Sequence, residues 1–424
     1  MLFNYAIGRV LSKENQYKKQ FLLFGIGGNL LLLGYFKYSD FFIANINTLL
    51  ESKMELLDLA LPLAISFFTF QQIAYLVDAY RGETKEYKLL NYGLFVTFFP
   101  QLIAGPIVHH KEMMPQFLQR KKQVINHKNI ALGLFLFSIG LFKKVVIADT
   151  FAVWATNGFN QAEVLGFIEA WVTSLSYTFQ LYFDFSAYTD MAIGVALLFN
   201  IVLPINFNSP YKATNIQEFW RRWHITLSRF LRDYIYIPLG GNRVGSFRNY
   251  SNLMMTFIIG GIWHGAGWTF IFWGFLHGFA LIIHRIWNQL GFKINTLFAW
   301  FVTFNFINIT WVFFRASEWN DAVNIIRSML GLNGMVLPNI FFEKLSFLST
   351  YGVDFGGFLE HIHGSLFTFF WLFLTLFLVL FCKNSMEKMA NFRLNYQTVL
   401  FTAGLLVYAI YSMHKVSEFL YFNF

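Results

Sequence analysis

The sequence predicts an all-α polytopic membrane protein, with about nine transmembrane helices plus re-entrant and interfacial helices. Three observations predict it. The chain is 56% hydrophobic and only 13% charged, against about 25% charged for an average soluble domain. Its runs free of Asp, Glu, Lys and Arg include 21–36, 59–77, 89–108, 129–142, 170–183, 191–211, 249–283, 294–314, 364–382 and 394–414. The loops between them sort by charge, as membrane loops do. This composition excludes disordered, fibrous and ordinary cytosolic classes. The 21% of aromatic residues, 55 of them Phe, reads as lipid-facing surface. The single cysteine, Cys382, lies in an apolar run, so no disulfide within the chain is possible and a catalytic thiol is not expected. The first 20 residues lack the pattern of a cleaved signal peptide.

A helix needs about 20 residues to cross the bilayer core. Run 249–283 has 35 residues, about 52 Å as helix, too long for one straight span. Gly260, Gly261, Gly265 and Gly267 sit near its middle and predict a helical hairpin. Segments 9–20, 109–128 and 206–250 carry four, five and seven basic residues against one, one and two acids. Segments 284–293 and 383–393 are also net positive, while 37–58 and 315–363 are net negative. Positive-inside logic places the basic group in the cytoplasm. Parity then requires that 89–108, which contains Pro100 and Pro106, and the 13-residue stretch 191–203 dip in without crossing. Re-entrant backbone must be buried in protein or face water. The result is nine crossings, with the N-terminus cytoplasmic and the C-terminus outside.

Stretch 208–243 is the most polar long piece of the chain. Thr214 is the predicted cap of a helix that starts at Asn215 and ends at Pro238 and Gly240–Gly241. Ile216, Phe219, Trp220, Trp223, Leu227, Phe230, Leu231 and Tyr234 form one stripe at helical spacing. Glu218, Arg221, Arg229 and Arg232 fall opposite. This predicts an interfacial helix in the headgroup region. Its arginines fit lipid phosphates or an anionic cytosolic donor. His224 lies at the border of the two faces, where it can point under the bundle. Residues 317–330 predict a short amphipathic helix on the outer face, capped by Ser317 and stopped by Gly331.

His264 and His277 lie inside the apolar hairpin, in GGIWHGAGWTFIFWGFLHG (260–278). An imidazole inside a membrane is a functional candidate by default. The bland alternative is a histidine bonded to a carbonyl, and it weighs more for His277 than for His264. Small residues around His264 leave room for a substrate. Asp184 and Asp190, in YFDFSAYTDMA, fit structural pairing better than orientation of a histidine. No HExxH, GxSxG or P-loop pattern is present, and no metal site is expected. No base-reading motif accompanies the net charge of +9, so membrane lipid is the expected partner rather than nucleic acid.

The motifs PLAISFFTFQQIAYLVDAYRG (62–82), FFPQLIAGPIVHHKEM (98–113), YFDFSAYTDMAIGVALLFN (182–200), FWRRWHITLSRFLRDYIYIPLGGNR (219–243) and IWHGAGWTFIFWGFLHG (262–278) resemble the membrane-bound O-acyltransferases. The resemblance is greatest to the branch that O-acetylates alginate and peptidoglycan. It extends to the final FLYFNF (419–424). A D-alanyl-transferring teichoic acid branch shares the RWH and WHG elements. The resemblance implies one acyltransferase domain over 1–424, with its motif core at 62–285, folded around a central funnel. It implies that His264 is the catalytic histidine and that His224 matches the second polar active-site residue. Arg221, Arg222 and Arg243 are then donor-binding candidates, and Asp184, Asp190, Asp233 and His277 supporting polar ones. The donor would be acetyl-CoA or an acyl-carrier thioester, with no bound cofactor. An extracytoplasmic acetyltransferase-like partner would pass the acyl group to a polysaccharide. The expected location is a bacterial cytoplasmic (inner) membrane. Family members generally begin with further apolar helices, so about two N-terminal spans are expected to be missing.

A neutral histidine acting as general base would take the hydroxyl proton, and His224 is the candidate donor to the oxyanion. The rival readings are a transporter or flippase, which predicts repeat symmetry that the sequence lacks, and a non-catalytic assembly scaffold.

Overall fold

The apolar runs become helices because backbone polar groups without water must bond one another. The computed structural model describes residues 1–84, 88–160, 164–413 and 420. The fold is nearly all-α. Among the described residues, four helices are long and apolar enough to cross a membrane: Lys18–Leu50, His127–Asn160, Trp268–Leu290 and Thr296–Arg315. Leu366–Phe381 and Tyr396–Tyr411 are shorter apolar helices.

The predicted hairpin is present. Ser246–His264 and Trp268–Leu290 are antiparallel neighbours, broken at 265–267. Two glycines allow their close approach. A Cβ at Gly261 would run into the Phe270 carbonyl, and one at Gly274 into the Phe257 carbonyl.

Several expectations are corrected. The helix that begins at Lys18 does not end at residue 36. It passes a π-helical turn at Gly34–Tyr38 and runs on to Leu50. Stretch 191–203 is not a separate re-entrant piece. Its first residues close a single 32-residue helix, Phe167–Leu198, about 48 Å long. The sequence hid this helix because its run is interrupted by Asp184 and Asp190, and both are neutralised by neighbours. The adjacent helix His127–Asn160 has a π-helical turn at Lys143–Ala148. The extra residue of that turn brings two successive lysines to bear on the long helix. Lys143 Nζ lies 2.7 Å from Asp190 Oδ2, and Lys144 Nζ 2.7 Å from Asp184 Oδ1. Ser385 Oγ donates to Asp190 Oδ1 at 2.8 Å. Leu420 N–H donates to Asp184 Oδ2 at 3.1 Å. Gly133, Gly140 and Gly194 bring the two helices together backbone against backbone.

Residues 89–108 form broken helices, Leu89–Thr97 and Phe99–Leu102. The longer is only about 14 Å, too short to span. At the break, Gln71 Nε2 and Gln101 Nε2 both donate to the Phe95 carbonyl, at 3.3 and 3.2 Å. This satisfies backbone that Pro100 prevents from continuing the helix.

The amphipathic helix expected at 317–330 runs Trp319–Met329, with Glu318 rather than Ser317 as its cap. Gly331, at φ +80°, stops it as expected. A short parallel pair of strands, Met335–Pro338 and Val353–Gly356, follows and had no signal in the sequence. Of the final motif 419–424, all but Leu420 lies outside the described residues.

Candidate functional site

The polar segment 208–243 folds differently from a single helix. Asn215, not Thr214, is the cap, with its side chain accepting from Glu218 N–H at 2.8 Å. The helix Ile216–Arg222 stops at once, and a second, Ile225–Leu231, begins after His224. His224 has φ +41°, a conformation uncommon for a residue with a Cβ. Ile216, Phe219, Trp220, Trp223, Leu227, Phe230 and Leu231 are all buried. The stripe therefore packs on the protein rather than into lipid. The sharp turn at Trp223–His224 carries His224 to full burial under the bundle.

There, His224 meets the tip of the hairpin. Its ring stands 4.7 Å from Phe185 and 6.4 Å from Trp263, centroid to centroid. Trp263 in turn lies 4.8 Å from His264. His264 is the last residue of Ser246–His264, and its ring is enclosed by Trp273 at 5.2 Å and Phe314 at 5.0 Å. Trp273 is 4.7 Å from His277. The three histidines are thus linked in series through the rings of Trp263 and Trp273.

Their hydrogen bonding differs. His277 is satisfied at both nitrogens: Trp220 Nε1–H donates to Nδ1 at 3.1 Å, and Nε2 lies 3.2 Å from Thr310 Oγ1. Thr310 gives its own proton to the Ile307 carbonyl, so Nε2–H is the donor in that contact. This is the arrangement of a structural histidine. His264 Nδ1, by contrast, is buried and makes no hydrogen bond among the described residues. His224 Nδ1 lies 3.1 Å from Asn206 Oδ1.

Lys37 completes the surroundings of His264. Its Nζ donates to the Trp263 carbonyl at 2.6 Å, to the His264 carbonyl at 2.9 Å and to Ser66 Oγ at 3.2 Å. Tyr38 OH donates to the Ile262 carbonyl at 2.6 Å. An amine at the C-terminal end of a helix satisfies its last carbonyls, which have no partner within the helix. The helix end that presents His264 is thereby fixed. The apolar run 21–36 stops short of Lys37 and leaves it in the net-negative segment 37–58; the helix instead continues through the π-helical turn at Gly34–Tyr38 and carries Lys37 here.

The remaining candidates separate. Arg222 is bound to Glu218 Oε1 at 2.8 Å and to the Asn208 carbonyl at 3.2 Å. Burial raises the Glu218 carboxyl, but the Thr214 N–H, Arg222 and the Thr214 hydroxyl together hold it below its ordinary range. Arg229 makes a bidentate pair with Glu112, at 2.6 and 3.0 Å. Asp233 pairs with the exposed Arg232 at 2.6 Å. Asp184 and Asp190 are occupied by Lys144 and Lys143. Arg221 and Arg243 are exposed.

Residues 78–316 match the family model of the membrane-bound O-acyltransferases. The chain belongs to this family. His224, His264 and His277 all fall inside the matched range, while Lys37 precedes it. The O-acyltransferase is 55% identical over 380 residues to the peptidoglycan O-acetyltransferase of Helicobacter pylori, covering 82% of this chain and 72% of that protein. It is 42% identical over 350 residues to the probable alginate O-acetylase AlgI of Pseudomonas aeruginosa, covering 80% and 66%. Against the teichoic acid D-alanyltransferase of Streptococcus thermophilus it is 29% identical over 247 residues, covering 55% and 59%. Among the described residues no group of three or more His, Cys, Asp or Glu is arranged to hold a metal ion.

Proposed function

We propose that this O-acyltransferase moves an acetyl group from a cytosolic thioester, acetyl-CoA or an acyl-carrier thioester, towards hydroxyls of an extracytoplasmic polysaccharide. An acetyltransferase-like partner outside the membrane receives the group on the way. The whole of 1–424 acts as one acyltransferase unit in a bacterial cytoplasmic membrane. It crosses nine times around a central funnel, with its N-terminus inside and its C-terminus outside. The relatives' names, peptidoglycan O-acetyltransferase and alginate O-acetylase, support acetyl as the group and a polysaccharide as the acceptor. Family membership favours transfer over transport.

One observation carries the assignment of the centre. His264 is buried at the break of an intramembrane hairpin with Nδ1 unbonded, whereas His277 thirteen residues on is bonded at both nitrogens. A purely structural role explains the second and not the first. His264 takes the acceptor hydroxyl proton as the oxygen attacks the thioester carbonyl. The tetrahedral intermediate then expels the thiolate, which receives that proton from the imidazolium. One C–S and one O–H bond are broken, and one C–O and one S–H bond are formed. His224 is the second polar group of the centre.

The test is acetyl transfer by purified protein in proteoliposomes with its partner and polymer. His264→Ala should lose about 10²–10⁴-fold, the usual contribution of a general base, and His224→Ala an equal or smaller amount, both with normal membrane insertion. Wild-type transfer by His264→Ala would remove it from the mechanism.

A further inference from the structure

Asn206 is fully buried in the irregular segment after the helix Phe167–Leu198. Its backbone runs beside the break between the two short helices. Ile225 N–H donates to the Asn206 carbonyl at 3.0 Å, and Asn208 N–H to the Arg222 carbonyl at 2.9 Å. Its side chain binds the same break. Oδ1 accepts from Thr226 N–H at 3.1 Å and from the Thr226 hydroxyl at 2.9 Å. That hydroxyl itself accepts from Ile107 N–H at 3.0 Å, which leaves its proton for Asn206.

These bonds decide which end of the amide faces His224. A backbone N–H needs an acceptor, and the amide nitrogen of asparagine is only a donor. The atom 3.1 Å from His224 Nδ1 is therefore the carbonyl oxygen. That oxygen carries no proton, so Nδ1 must donate. In the neutral ring the lone pair then belongs to Nε2. The left-handed backbone at His224 is a strained conformation of the kind that persists where surrounding bonds over-determine it.

We propose that Asn206 is a positioning residue that holds His224 in its Nδ1-protonated tautomer, so that neutral His224 accepts a proton through Nε2. This replaces the oxyanion-donor role that the sequence suggested for His224. The proposal rests on the acyl-transfer reading. A single proton passes from the attacking hydroxyl to an imidazole and from it to the departing sulfur. In this tautomer neutral His224 can hold that one proton in turn with His264, accepting it through Nε2 and releasing it for the sulfur, so that no second proton is taken up.

Two variants and one spectrum test it. Asn206→Asp keeps the acceptor and adds a negative charge, which favours the imidazolium. The acid limb of the kcat profile should then move to higher pH, by about one unit or more. Asn206→Leu removes the acceptor and should lower kcat on the order of 10²-fold, with donor KM little changed. An unmoved acid limb in Asn206→Asp, or wild-type kcat in Asn206→Leu, overturns the proposal. The tautomer is read without turnover from ¹⁵N spectra of histidine-labelled protein, with His224→Gln supplying the assignment. Nδ1–H in the wild type is the expected result, and Nε2–H overturns the proposal whatever the activity. If Asn206→Leu fails to fold, Asn206→Asp and the wild-type spectrum still decide. The expected tautomer in a protein that transfers no acyl group supports the positioning role and sinks the acyl-transfer reading instead.

Discussion

At the scale of single residues, the role proposed for His264 rests on a buried nitrogen with no hydrogen bond among the described residues. His277 sits in the same aromatic enclosure as His264, yet Trp220 and Thr310 satisfy it. Arginines divide in the same way. Arg222 and Arg229 are held by Glu218 and Glu112, so their guanidinium groups already serve the fold. Arg221 and Arg243 remain exposed. Guanidinium pairs well with phosphate, so these two are the better candidates for the donor. Arg221→Gln with Arg243→Gln should raise the apparent KM for acetyl-CoA several-fold with little change in kcat, as expected of uniform binding. An unchanged KM with altered membrane retention would assign them to lipid headgroups. Arg222→Gln should instead lower thermal stability, by loosening the Glu218 and Asn208 contacts.

At the scale of elements, two π-helical turns have parallel roles. The turn at Gly34–Tyr38 lets Lys37 reach the end of the hairpin's first helix. The turn at Lys143–Ala148 lets two consecutive lysines reach Asp184 and Asp190. Lys143 and Asp190 are nearly inaccessible. Removing one partner of such a pair leaves an uncompensated buried charge, at a cost of about 3–5 kcal/mol. Lys143→Met should therefore lower the unfolding temperature in detergent sharply. The double variant Lys143→Met/Asp190→Leu should recover most of that loss, because no charge is left unpaired. If the double variant is as unstable as the sum of the single ones, the ion pair is not what joins these helices.

At the scale of the whole molecule, the continuous helix Phe167–Leu198 changes the route to the topology. In the proposed topology the basic segment 206–250 is cytoplasmic because the one helix Phe167–Leu198 makes a single crossing, not because a second piece turns back. Segment 206–250 and loop 315–363 should then lie on opposite sides. Cysteines at Arg248 and Glu360, in a Cys382→Ser background, should react with an impermeant thiol reagent from the inside and the outside respectively. Labelling of both from one side would overturn the nine-crossing arrangement.

The sequence by itself determined the membrane class, the hairpin at 249–283 and which residues of 216–231 form the apolar stripe, and it singled out His224 and His264 as candidates. These are legible because hydrophobic runs, helical periodicity and intramembrane imidazoles are local signals. Helix ends were not legible where a charge inside an apolar run is answered from another helix, as with Lys37, Asp184 and Asp190. The tertiary structure alone decided those pairs. It alone decided that the polar segment breaks at His224, because the hydrogen bonds that hold the break come from Asn206, just ahead of the segment, and from Ile107, far away in the chain. It also decided which histidine is spoken for. Composition can place an imidazole in the membrane, but only packing determines whether its nitrogens find partners.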